Sequence, residues 1–159
     1  MKTPSPYKSL PVPRRVALVE HAIRSSREVR MLWVQRIVAK GRGYRAATLQ
    51  ALTPDRLATE VVRMSAETPQ DELDLLQVLF VEREPAVQIA FLDAAGVRHT
   101  NGTIPEELDP PYTDAEGVQR GVAAVRAAHG EDGERYLRTL VRYFREAWPG
   151  IEDAVGPAA

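Results

Sequence analysis

The sequence has no cysteine. That removes disulfides, thiolate catalysis and cysteine-based zinc sites together. Its three histidines, His21, His99 and His129, lie far apart, with no His-x-x-x-His or His-x-x-Glu pairing. No helical metal-ligand pair follows, and we expect no cofactor. No apolar run approaches the roughly 18 residues of a membrane-spanning helix, and the N-terminus has no apolar signal region. These absences lead us to expect a cytoplasmic protein in a reducing compartment. Lysine is scarce: three lysines stand beside 18 arginines, which suggests a GC-rich bacterial genome. Gly41-Arg42-Gly43 lacks the Gly-Lys-Ser/Thr and the flanking strand of a phosphate loop. Neither a helix-turn-helix signature nor an aromatic stacking platform is evident.

What is present is helical patterning. With 159 residues and 44% apolar composition, the chain is long enough for one domain with a sizeable core. The stretch Thr68 to Gly96 reads as two helices back to back. Thr68 is an N-cap, Pro69 occupies the first helical position, and Asp71 and Glu72 meet the positive end of the dipole. Glu84 precedes Pro85, so the first helix ends near Arg83. From Ala86 to Ala95 only Gln88 and Asp93 are polar, and a helix apolar nearly all round belongs in a core. Gly96 is its expected left-handed terminator. The fold class expected is all-α: a single-domain bundle of about six to seven helices around a buried central helix (85–95), with at most a small β-turn or bridge at 97–104.

Residues 1–13, with Pro4, Pro6, Pro11 and Pro13, read as a proline-rich extended tail in which Tyr7 and Leu10 are docking candidates. Residues 14–150 read as one helical domain and 151–159 as a C-terminal tail. Arg14 to Lys40 reads as one helix, with a break at the Ser25-Ser26-Arg27-Glu28 capping box as the alternative. Arg30 then falls within its apolar arc and should snorkel at the edge. A short helix follows near Tyr44 to Leu52, and Thr53-Pro54 opens another towards Ala66. Asn101-Gly102 is a hairpin signal. Thr113-Asp114-Ala115-Glu116 matches a capping box for a helix ending at Gly130, with Gly117 and Gly121 placed to let another backbone approach. His129 reads as a hydrogen-bonded core residue. The last long helix should cover about Asp132 to Trp148.

Two features bear on function. Arg135, Arg138, Arg142 and Arg145 recur at helical spacing as a basic stripe, a docking face for carboxylates or phosphates unless local glutamates satisfy it. The charge is also split: residues 1–56 carry 12 Lys/Arg against three acids, and residues 57–159 carry 9 against 19. The two parts then either pair with each other or offer the basic half, including Arg27, Arg42 and Arg45, to an external anion. Asp93 sits at the dipole-disfavoured end of its helix and needs a partner, for which Arg98 and His99 are within reach. A structural clamp is the main reading of that group, a catalytic or metal pair the lesser one. The expectation is a non-enzymatic macromolecular-interaction domain, an adaptor or assembly module that binds a protein partner or its own copy. The alternatives are phosphate-backbone nucleic-acid binding through the basic half, and an enzyme using the His99 loop.

Overall fold

The structure, a computed structural model, describes residues 5–41 and 43–158. It is all-α: the described residues form eight helices and no strand. They divide into two compact units, one over Tyr7–Leu75 and the other running from Leu76 together with the described residues before Tyr7. The boundary falls inside a helix that the sequence reading assigned to a single domain.

In the first unit, α1 (Val12–Ser25), α2 (Arg27–Ala39), α3 (Ala46–Gln50) and α4 (Pro54–Arg63) enclose a core of Val19, Trp33, Ile37, Leu49, Leu57 and Val61. The stretch read as one continuous helix over 14–40 is two. Ser26 leaves helical geometry (φ −147°), and its hydroxyl accepts the Val29 N–H at 3.3 Å, so the serine N-cap prevails over uninterrupted propensity. Arg30 does not simply snorkel. Its guanidinium donates to the carbonyls of Gln50 (2.9 Å) and Leu52 (2.6 Å), which the end of α3 leaves without helical partners. The proline-rich segment is not an extended tail over its described part. Residues 6–9 form a turn, Leu10 N–H donates to the Tyr7 carbonyl at 3.0 Å, and Tyr7 and Leu10 are buried. Burial of two large side chains holds a segment that composition alone would leave loose.

α5 (Pro69–Gln77) continues as a π-helical turn over Val78–Arg83, the wider last turns of the helix expected to end near Arg83. Next comes α6 (Ala86–Ala95), which buries Val87, Phe91, Leu92 and Ala95, leaves Ile89 and Ala90 half-buried, and ends at Gly96 in the left-handed region (φ 75°). Asn101 (φ 51°) and Gly102 (φ 87°) both take positive φ, as the hairpin turn requires, and Thr100 and Thr103 form an isolated bridge.

α7 (Ala115–Tyr143) lies against α6 and is interrupted at Gly130 (φ 50°, ψ −129°). Its N-cap is Asp114, not Thr113: the carboxylate accepts the Gly117 N–H at 2.8 Å. The Thr113 hydroxyl is thereby free to donate to the Ala95 carbonyl at 3.1 Å, an acceptor that the end of α6 leaves open. The helix ends at Tyr143, short of the expected Trp148, because Phe144 leaves helical geometry (φ −133°). Trp148 precedes Pro149, which disfavours continuation, and its ring packs instead on Phe91 at 4.9 Å between centroids. The last segment is not a tail either. α8 (Ile151–Val155) buries Ile151 and Val155.

The approach of α6 to α7 is set by glycine. A Cβ on Gly121 would lie 2.7 Å from the Phe91 ring, and one on Gly117 would lie 3.0 Å from the Ala95 carbonyl oxygen. Gly121→Ala gains about 1 kcal/mol in helix propensity. It forces a displacement of a packed ring, for which overpacking costs about 1–3 kcal/mol. We expect a net loss of stability, read as a lower urea midpoint by circular dichroism. A midpoint equal to or above that of the parent would show that the contact yields without cost.

Candidate functional site

The arginine stripe does not stand free. Arg135 is buried and paired with Asp132. Arg138 donates to the Gly156 carbonyl at 2.6 Å and the Pro157 carbonyl at 2.8 Å, while Arg126 donates to the Val155 carbonyl at 2.7 Å. Together these guanidiniums cap α8 and hold the chain that follows it. Arg145 reaches Glu152 at 3.3 Å, and the Arg142 guanidinium lies 5.6 Å from the Tyr143 ring centroid. Arg27 and Arg45 are exposed on the first unit. Arg42 lies outside the described residues.

Asp93 finds its partner in His99. The ring Nε2 lies 2.7 Å from the carboxylate, and the Gly102 N–H donates to Nδ1 at 3.0 Å. An accepting Nδ1 leaves Nε2 as the protonated nitrogen, so the imidazole bridges the end of α6 to the Asn101-Gly102 turn. Arg98 pairs separately with Glu107 at 2.8 Å, both side chains well exposed. This geometry is that of a clamp on the 97–104 loop. Among the described residues no group of three or more His, Asp or Glu is placed to hold a metal ion. His129 is half-buried, not a core residue. It stands where α7 breaks and lines an open groove with Arg83, Glu84 and Asp132.

Much of the basic charge in the first unit is matched locally. Arg24 pairs with Glu20 at 2.9 Å, Arg36 with Asp71, and Arg63 with Glu60, while Lys40 donates to the Ser65 carbonyl at 3.3 Å. No known protein family, curated protein or solved structure matches the chain.

Two features escaped the sequence reading. The first is the outer face of α2. Met31 and Leu32 are 42% and 44% exposed, whereas Trp33, Val34 and Ile37 on the same helix are buried. The signal was the run Met31-Leu32-Trp33-Val34: four consecutive apolar residues span more of a helix than one core-facing stripe can take. Arg27, Glu28 and Gln35 are exposed around them.

The second is a buried polar group under the N-terminal turn. The Tyr7 hydroxyl, Arg15 Nε and one Glu67 carboxylate oxygen are all shielded from solvent; the Tyr7 phenol faces the Glu67 carboxylate, but none of the three closes a hydrogen bond of good geometry. Glu72 is buried close by and held by Lys8 at 3.5 Å. Burial pushes the Tyr7 phenol up, with the Glu67 carboxylate adding to the shift, so the hydroxyl stays neutral. Burial also raises the Glu67 carboxyl, against the opposing pull of a backbone N–H and Arg15. The folded chain therefore holds the Glu67 proton more tightly than the unfolded chain. Stability from this group is complete below the usual carboxylate range and is lost as pH rises through the raised value. Glu67→Gln should flatten that segment of the stability–pH curve and raise the melting temperature at neutral pH relative to the parent. Parallel curves for the two proteins between pH 4 and 8, followed by circular dichroism, would remove Glu67 as the cause.

Proposed function

We propose that the chain is a non-enzymatic macromolecular-interaction domain that docks a protein partner on the outer face of α2. The observation that carries this reading is the exposure of Met31 and Leu32 on a helix whose opposite face is already buried. Adjacent exposed apolar side chains on one helix face are typical of association sites, where apolar anchors are ringed by polar groups. The rim carries one charge of each sign, Arg27 and Glu28, beside the neutral Gln35. An amphipathic partner helix with one charge of each sign beside its apolar stripe fits that combination, by apolar contact at the centre and paired charge at the edge. We assign the domain to a bacterial cytosol on its arginine-rich, cysteine-free composition.

The reading differs from a docking face on Arg135, Arg138, Arg142 and Arg145, since those side chains are engaged within their own unit. It also differs from phosphate-backbone binding, because local partners occupy Arg24, Arg30, Arg36 and Arg63.

The experiment places a photo-crosslinking residue at Gln35 in the intact protein inside cells, with and without Met31→Asp and Leu32→Asp together. We expect a protein adduct at Gln35 that the double variant reduces at least about tenfold, the loss expected for removing one good apolar anchor. Both side chains are partly covered and Asp is a poorer helix former, so the variant should stay folded with a melting temperature only a few degrees lower. An undiminished adduct would discard the α2 face. A nucleic-acid adduct in place of protein would overturn the proposal in favour of phosphate binding.

A further inference from the structure

Aromatic side chains are only 6% of the chain, yet half of them gather around one cavity of the second unit. The cavity measures about 240 Å³. Its walls are Phe80, Tyr112, Tyr136, Phe144 and Trp148, with Leu92 and Leu140 between them. The rings already meet edge to face: Phe80 on Tyr136 at 5.2 Å, and Phe91 behind them on Tyr136 at 5.8 Å and Trp148 at 4.9 Å. Val81, 40% exposed, stands at the rim. Phe80 and Val81 both come from the π-helical turn. Such turns are rare and frequently occur at functional sites.

Among the described residues no Asp, Glu, Lys, Arg or His lines the cavity. An ionic ligand would lose its hydration there without a counter-charge. The polar groups at the wall are neutral: Gln77, Gln88, Thr139 and the Tyr136 phenol. Gln88 donates to the Gly102 carbonyl and Thr139 to the Arg135 carbonyl at 2.8 Å, which fixes both side chains and leaves the Gln88 amide oxygen and the Thr139 hydroxyl lone pairs free to accept. Burial raises the Tyr136 hydroxyl, keeping it protonated and able to donate. Size sets a further bound. A cavity of roughly 150 Å³ admits a benzene, so this one fits one or two fused rings.

We infer that this cavity is a binding site for a small, neutral, planar aromatic molecule of one or two rings carrying at least one hydrogen-bond donor. Aromatic edges around an apolar slot favour a flat π face, and the accepting groups at the wall orient its N–H or O–H. The site is independent of the α2 face and stands or falls separately from it.

The test uses the full chain and 5-fluoroindole, followed by fluorine NMR, with indole-3-carboxylate as the charged competitor. The parent should show saturable binding. The carboxylate should compete at least about tenfold more weakly than indole, since desolvating its charge is uncompensated. Val81→Trp, which fills the mouth from an exposed position, should weaken binding by about tenfold or more. Ala147→Leu, at another wall position, gives the same readout should the first variant fail to fold. No saturable binding in the parent would overturn the assignment. So would equal competition by the carboxylate, or unchanged binding in a folded filling variant.

Discussion

The second unit depends on how closely α7 approaches α6. At Gly121 a Cβ would collide with the Phe91 ring, which lies flush against the glycine backbone, and at Gly117 it would collide with the Thr113 hydroxyl that caps α6 and press on the Ala95 carbonyl. That approach fixes Phe91, and Phe91 in turn places Tyr136 and Trp148. It also brings Thr113 to the Ala95 carbonyl and Arg120 to the Ala94 carbonyl at 3.1 Å, so that α7 caps the helix it packs against. Packing and capping reinforce one another: each supplies a partner for a group that the other buries.

Arginine is used throughout as a carbonyl cap. Arg30 closes α3, Arg120 closes α6, and Arg126 and Arg138 close α8. A guanidinium presents several donors in a fixed fork and can satisfy two adjacent orphan carbonyls at once, which lysine cannot do with the same geometry. α3 and α8 have five residues each and gain little from helix cooperativity. Long side chains from neighbouring helices supply the satisfaction that their own length does not. The same usage explains why an arginine-rich sequence exposes less functional cationic surface than its composition suggests.

Local signals in the sequence were read correctly where the cause was local. Pro85 and Gly96 bracket α6, Asn101-Gly102 makes the turn, Gly130 breaks α7, and Gly117 and Gly121 mark the close approach. Each depends on backbone geometry that one residue type dictates. Errors arose where competing local options had similar energies, as at Ser26 and at Thr113 against Asp114. The partners of the arginine stripe were not legible for another reason. The acceptors of Arg126 and Arg138 are backbone carbonyls 18 to 29 residues away, and a carbonyl carries no sequence signature. The aromatic cavity draws walls from α5 to Trp148 and exists only after packing. The Asp93–His99 contact was legible because its partners are six residues apart around a recognisable turn.

If α6 and the first part of α7 form one interlocked element, they cannot open separately. Native-state amide hydrogen exchange under increasing denaturant tests this directly. We predict that the amides of Ile89–Ala95 and Val118–Val125 are the slowest of the second unit and converge on one opening free energy with one denaturant slope. An α6 that exchanges through its own lower-energy opening, while α7 stays protected, would contradict the account.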